Sequence, residues 1–181
     1  NLVTRHPTAT ANAINSLNMI SQGRAVLGVG AGDSAVRTAG LSPATLAEIR
    51  ERLTFMRALL DGDEVDALRP PEEAARSTWG RVDRVRLLGA GAAGAVPIQL
   101  ACMAPKSVRV AGEICDGVIV DGHMGGNAEG ARATIAAASE GAEAAGREPS
   151  ELRFIAAIDA AIDDDRHKAL DKVRPTAARN I

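Results

Sequence analysis

Short apolar runs that alternate with helical patterns constrain the fold of this 181-residue chain more than any other feature. Four such runs have the length and the aliphatic content of strands that are buried on both faces. They are Arg24–Gly30, Val96–Cys102, Asp116–Val120 and Leu152–Ile158. Because a helical pattern separates consecutive runs, we expect the strands to pair in parallel through right-handed crossovers. The sequence therefore predicts an α/β fold.

The segments between these runs carry apolar residues at the three- and four-residue spacing of amphipathic helices. Helices are expected from Pro7 to about Gly23, from Ser42-Pro43 to Asp61, from Pro105, from Gly126 or Asn127 to about Gly146, and from Asp163 to Val173. Residues 63–95 have poor periodicity, and we interpret them as an irregular excursion or a hairpin. Periodicity leaves two architectures open, a (β/α)₈ barrel and a three-layer doubly wound sheet.

Composition excludes several classes of function. Lys and Arg total 21 against 23 Asp and Glu, so the net charge is −2, and nucleic-acid binding is not expected. No apolar run reaches the roughly 18 residues of a membrane span, and Asn1–Pro7 lacks the apolar core of a signal peptide. Cys102 and Cys115 lack metal-ligand spacing, which fits reduced thiols. We expect a soluble, cytoplasmic protein without a metal site.

Two blocks of motifs extend over nearly the whole chain. The first runs from Thr4-Arg5-His6-Pro7 through Ser21-Gln22-Gly23-Arg24 to Leu27–Asp33. The second runs from Val96-Pro97-Ile98 through Pro105 and Ala111-Gly112-Glu113 to Cys115–Ile119. In this order and spacing the blocks resemble the luciferase-like family of flavin- and deazaflavin-dependent oxidoreductases. Within that family the chain looks most like the deazaflavin-dependent branch, which includes the methylenetetrahydromethanopterin reductases.

The resemblance implies a partial (β/α)₈ TIM barrel. A complete barrel needs about 250 residues, so residues 1–181 would form a single incomplete domain with roughly strands four to seven and their helices. The implied activity is hydride exchange between coenzyme F420 and a small organic substrate, and an FMN-dependent monooxygenase of the same fold is the alternative. A non-catalytic truncated barrel segment is an alternative from another class. Uncovered strand edges predict self-association, and we expect a homodimer.

A glycine loop, Gly28-Val29-Gly30-Ala31-Gly32-Asp33, follows the first strand at the end where barrel active sites form. Glycine lets the backbone approach a ligand closely. A Rossmann turn fits less well, because the third glycine is missing at the required offset and no helix is predicted immediately after. The resemblance implies that Gly30, Ala31 and Gly32 contact the cofactor. It places Asp33 beside the ring or substrate, where a carboxylate accepts a hydrogen bond or moves a proton; the alternative is a helix-capping role.

A second loop precedes a predicted helix start, whose free N–H groups and dipole suit a phosphate. By resemblance this loop contacts a cofactor phosphate through Ala101, Cys102, Met103, Ala104 and Pro105. Related members carry glycine where this chain has Ala104. Cys102 is expected to be inert packing, because no activating base is visible in the sequence.

The strand at Asp116–Val120 ends at the same side of the sheet, and Asp121, Gly122 and His123 follow it as further implied cofactor contacts. For His123 a solvated loop position is the alternative. Glucose 6-phosphate is disfavoured as a substrate, because the binding lysine of related sugar-phosphate dehydrogenases is absent around Met124. His6 is expected to cap or orient the first helix.

Overall fold

The helices and strands that the sequence predicts occur along the chain in the predicted order. The structure is a computed structural model that describes residues 1–68, 83–121 and 128–177. The chain divides into two units, Asn1–Ile98 and Gln99–Ile181. Each unit contributes strands and helices of its own, and each contains one of the two loops predicted to contact a cofactor.

The first unit contains three helices, α1 (Pro7–Ile20), α2 (Ser34–Thr38) and α3 (Leu46–Asp61). His6 caps α1, because its Nδ1 accepts a hydrogen bond from the N–H of Thr8 at 3.3 Å, which confirms the predicted capping role. The predicted start of α3 at Ser42-Pro43 is wrong. A reciprocal capping box fixes the start at Leu46 instead, since Thr45 and Glu48 each bind the other's backbone N–H.

Short strands complete the first unit. β1 (Leu27–Gly30) is shorter than the predicted run, and the N–H of Leu27 donates to the carbonyl oxygen of Pro97 at 2.8 Å. β2 (Val65–Asp66) and β3 (Arg84–Val85) pair antiparallel. This pair lies within residues 63–95, of which 69–82 fall outside the described residues. Side chains of α3 supply much of the core of this unit, namely Ile49, Leu53, Phe55, Met56, Leu59 and Leu60.

A parallel sheet forms the centre of the second unit. Its strands are β4 (Ile98–Ala101, whose first residue ends the first unit), β5 (Gly117–Asp121) and β6 (Arg153–Ala157). β5 lies between the other two, with Val118 opposite both Leu100 and Phe154. The helices are α4 (Pro105–Ile114), α5 (Ala128–Ala144) and α6 (Arg166–Ala177), with a 3₁₀ turn at Pro149–Glu151. The predicted α/β class with a parallel sheet is confirmed.

Helices α4 and α5 approach so closely that glycine is required on both. A Cβ added to Gly112 would lie 1.9 Å from the carbonyl oxygen of Ala138, and one added to Gly141 would lie 2.0 Å from that of Arg109. Arg147 reinforces this contact by donating from Nη1 to the carbonyl oxygens of Gly112 and Cys115, both at 2.7 Å. Helices α4 and α5, which follow β4 and β5, are therefore packed with their backbones in contact.

Candidate cofactor site

The glycine loop, defined here as Gly30–Asp33, begins at the last residue of β1. Gly32 has φ +83°, a conformation that side-chain-bearing residues rarely adopt. A Cβ at this position would also lie 2.2 Å from Cγ2 of Val36, which is fully buried beneath the loop. Only glycine allows α2 to pack directly against the loop.

Backbone hydrogen bonds fasten two successive carbonyl groups of the loop. The N–H of Leu2 donates to the carbonyl oxygen of Gly30 at 3.2 Å. The N–H of Ala44 donates to the carbonyl oxygen of Ala31 at 3.0 Å. Leu2 is buried, so this anchor is part of the core of the first unit. The loop is held by segments that lie before β1 and after α2 in the sequence.

Asp33 occupies the N-cap position of α2, but its side chain makes no capping hydrogen bond. Its carboxylate instead accepts a hydrogen bond from Nε of Arg37 at 2.6 Å, and the Asp33 side chain is 83% exposed. The capping alternative is therefore right about the position and wrong about the hydrogen bond. The expectation that no helix follows the loop is also wrong, since α2 begins at Ser34. Arg37 was missed, although its four-residue spacing from Asp33 on a helix is the signal for such a pair.

The second predicted loop, Ala101–Pro105, links β4 to α4 in the second unit. Ala101 pairs with Ile119 of β5, and the N–H of Cys102 donates to the carbonyl oxygen of Ile119 at 3.2 Å. Ala104 is the N-cap of α4, and its methyl group provides no capping hydrogen bond. Pro105 occupies the first helical turn, and the exposed Lys106 follows it. The start of α4 thus combines uncapped backbone N–H groups with a positive side chain, which suits an anion.

Cys102 lies half-buried at the end of β4. Burial raises the pKa of its thiol to about 12, because the apolar surroundings disfavour the thiolate. The thiol is therefore protonated at neutral pH and is a poor nucleophile.

A cavity of about 210 Å³ lies against the start of α4. It is lined by Met103, Pro105, Val108, Val120, Gly130, Ala133, Thr134 and Ala137. Except for the hydroxyl of Thr134, the side chains that line it are small or apolar. This part of the second unit therefore offers an apolar recess directly beside a helix start that favours negative charge.

The remaining predicted residues follow β5. Asp121 is the last residue of that strand and lies opposite Ala157 of β6. The side chain of Asp121, together with Gly122 and His123, falls outside the described residues. The pairing of Ala101 with Ile119 brings the backbone of Asp121 to the same end of the sheet as the Ala101–Pro105 loop.

Within residues 1–68, 83–121 and 128–177, no group of three or more His, Cys, Asp or Glu residues is arranged to hold a metal ion. No helix in these ranges is long and apolar enough to cross a membrane.

Comparison with known proteins decides the family. The sequence model described as "Luciferase-like monooxygenase" matches residues 1–180. The chain belongs to the luciferase-like monooxygenase family. Among relatives of this luciferase-like chain, the 5,10-methylenetetrahydromethanopterin reductase of Methanolobus tindarius is 36% identical over 174 residues, which cover 93% of the chain and 48% of the relative.

Solved structures agree with this family. The coenzyme F420-dependent tetrahydromethanopterin reductase from Methanopyrus kandleri matches with a TM-score of 0.69 and 27% identity, over 93% of this chain and 50% of that one. The oxygenating constituent of 3,6-diketocamphane monooxygenase from Pseudomonas putida, solved with FMN, matches with a TM-score of 0.60 and 21% identity, over 93% and 48%. The second likeness concerns the fold alone. The luciferase-like chain thus spans about half the length of the proteins it matches, and its parallel sheet corresponds to about half of a luciferase-like TIM barrel.

Proposed function

We propose that this chain is part of an oxidoreductase that exchanges hydride between coenzyme F420 and a small organic substrate. The observation that carries the proposal is the 36% identity, across 93% of the chain, to a methylenetetrahydromethanopterin reductase. Bound F420 supplies the deazaflavin ring that accepts or donates the hydride, and the protein supplies binding, orientation and electrostatics. The proposal includes residues 1–181 as one incomplete barrel domain with roughly strands four to seven.

The start of α4 is assigned to the phosphate of the cofactor. The residues assigned to it are Ala101, Cys102, Met103, Ala104 and Pro105. Because the side chain of Ala104 does not cap α4, the backbone N–H groups in the first turn of α4 are available to phosphate oxygens. The exposed ammonium of Lys106 adds a positive charge at the same place. Asp121, Gly122 and His123 are proposed as further cofactor contacts beyond β5.

The glycine loop is assigned to the ring and the substrate. Gly30, Ala31 and Gly32 are assigned to this contact. Gly30 and Ala31 carry little or no side chain, so a planar ligand approaches their backbone closely. The space beside Gly32 is filled by Val36, so Gly32 contributes through the turn that it allows. Asp33 has an exposed carboxylate next to this backbone, and Arg37 holds that carboxylate at 2.6 Å. We assign to Asp33 the acceptance of a hydrogen bond or a proton from the substrate.

Titration of the purified 181-residue chain with F420 and, separately, with FMN tests the proposal. The proposal expects saturable fluorescence or absorbance changes with F420, and weaker binding of FMN. Preference for FMN would favour a monooxygenase of the same fold. No binding of either cofactor, with self-association of the chain, would favour a non-catalytic barrel segment.

A pair of variants at Ala104 separates binding from folding. Ala104→Ser and Ala104→Asp both introduce a side chain that caps α4, and each is expected to stabilise the helix by about 0.5–1 kcal/mol. Only Ala104→Asp adds a negative charge where the phosphate is proposed to bind. We expect Ala104→Asp to weaken F420 binding at least about tenfold more than Ala104→Ser at equal thermal stability, which corresponds to about 1.4 kcal/mol. Equal affinities of the two variants for F420 would show that the phosphate does not bind at this helix start.

Self-association is proposed from exposed apolar side chains, in addition to the uncovered strand edges expected from the sequence. Large apolar side chains are exposed on both units, namely Leu17, Ile20 and Leu88 in the first and Phe154, Ile158 and Ile162 in the second. Exposed apolar side chains of this size favour association with other protein where they form a contiguous patch. We expect a homodimer, and sedimentation velocity of the chain at several concentrations measures it. A monomer at every concentration would contradict this expectation.

A further inference from the structure

The guanidinium group of Arg52 connects α3 with the N-terminal segment of the first unit. Its Nη1 donates a hydrogen bond to the carbonyl oxygen of Leu2. Its Nη2 lies 3.2 Å from Oε1 of Glu48, one helical turn earlier. The Arg52 side chain is only 24% exposed, so these contacts are partly shielded from water. The planar fork of arginine makes both contacts at once, a geometry that the ammonium group of lysine lacks.

Glu48 fixes the orientation of Arg52 and also caps α3. Its Oε2 accepts hydrogen bonds from the backbone N–H and from Oγ1 of Thr45, both at 2.8 Å, while its Oε1 faces Arg52. The hydrogen bonds from Thr45, and then the charge of Arg52, lower the pKa of the Glu48 carboxyl. Arg52 is thus held by an ionised carboxylate that is itself fixed at the start of α3.

Both segments that Arg52 joins make hydrogen bonds to the glycine loop. Leu2, which is 3% exposed, donates its N–H to the carbonyl oxygen of Gly30 at 3.2 Å. Ala44, directly before Thr45, donates its N–H to the carbonyl oxygen of Ala31 at 3.0 Å. Arg52 therefore contacts one anchored segment directly, at Leu2, and reaches the other through Glu48 and Thr45.

We infer that Arg52 is a positioning residue for the glycine loop and, through it, for the ligand that the loop contacts. Arg52 acts through Leu2 and through the start of α3, not by ligand contact. The identity of that ligand rests on the proposed function, whereas the fastening of the loop does not. The affinity for the ring and the order of the loop backbone are expected to change together when Arg52 is replaced.

Amide hydrogen exchange followed by NMR tests the inference on the 181-residue chain. Arg52→Met keeps most of the aliphatic stem and removes every donor, Arg52→Lys keeps the charge, and Glu51→Ala is the control at an exposed neighbour on α3. We expect the amides of Leu2 and Ala44 to exchange about tenfold faster in Arg52→Met and by an intermediate factor in Arg52→Lys. Amides of α5 and the Glu51→Ala protein are expected to match the wild type.

Titration of the same proteins with F420 gives the second readout. We expect the dissociation constant to rise about fivefold or more in Arg52→Met, with partial recovery in Arg52→Lys. If Arg52→Met does not fold, the amide exchange and the F420 affinity are both measured on Arg52→Lys. Unchanged exchange at Leu2 and Ala44, or equal acceleration at all amides, would overturn the inference. If the wild-type chain does not bind F420, the proposed function fails, and the exchange pattern alone then decides the role of Arg52.

Discussion

Replacing Gly141 by alanine is expected to destabilise the second unit, although alanine is the better helix former. The added Cβ would lie 2.0 Å from the carbonyl oxygen of Arg109, whereas real Cβ contacts stay above 3.0 Å. Helices α4 and α5 would have to separate by about 1 Å, which places the cost near the upper end of the overpacking range, about 3 kcal/mol. The higher helix propensity of alanine offsets about 1 kcal/mol of this cost. The net loss is therefore about 2 kcal/mol, or about 4–8 °C in Tm for a chain of this size.

Thermal unfolding followed by circular dichroism measures this loss. The control is the reverse exchange on the exposed face of the same helix, Ala136→Gly, which reports helix propensity without any change at the α4 contact. It is expected to lower the stability by about 1 kcal/mol. The reasoning would be refuted by a Gly141→Ala protein that is as stable as the wild type or more stable, because helix propensity would then outweigh the backbone contact.

Three further predictions concern other contacts of the chain. Arg147→Met is expected to lower the stability by about 1–2 kcal/mol in urea unfolding, because the carbonyl groups of Gly112 and Cys115 lose a charged donor; a change under about 0.3 kcal/mol would contradict this. Cys102 is expected to react with iodoacetamide at about pH 8 at least about a hundredfold more slowly in the folded chain than in urea, since burial raises the pKa of its thiol to about 12; equal rates would disprove the burial argument. The pKa of Glu48 is lowered below its ordinary value of 4.5, chiefly by the backbone hydrogen bond from Thr45. The ionised carboxylate therefore stabilises the fold at pH values above 4.5, and this stabilisation is lost as the pH falls through the folded-state pKa. The Tm difference between wild type and Glu48→Gln should shrink from about pH 6 to about pH 3. A Tm difference that stays constant over this range would contradict the stabilising role of the ionised Glu48 carboxylate.

The order of the main strands and helices was predictable because each of them has a local signal, whereas the five-residue helix α2 was not predicted. Buried strands appear as short apolar runs, and Pro7 and Pro105 mark helix starts in the sequence and in the structure. The start of α3 has a local signal too, since Thr45 and Glu48 have the spacing of a capping box, but Pro43 is a competing signal for a start three residues earlier. Three of the four predicted strands are longer than the observed ones, because apolar residues continue beyond the hydrogen-bonded ladder, as at Val26.

The contacts that shape the candidate site had no comparable signal. The positions of Arg52 and Leu2 are 50 residues apart, and no periodic pattern connects a guanidinium group with a distant backbone carbonyl. The requirement for glycine at Gly112 and Gly141 appears only when two helices are packed together. Residue types near a site can therefore be read from local motifs, whereas the positions of those residues depend on non-local hydrogen bonds and packing.

Each of the two candidate loops is nevertheless fastened by residues of its own unit. The glycine loop is held through Leu2, Ala44 and Arg52, all of the first unit. The start of α4 is held by the strand contact from Cys102 to Ile119 and by the close packing of α4 on α5. The local shape of the proposed phosphate subsite at α4 therefore depends on residues that this chain contains, even though the chain spans about half the length of its relatives. For this reason the Ala104 variants test the proposed subsite on the 181-residue chain itself.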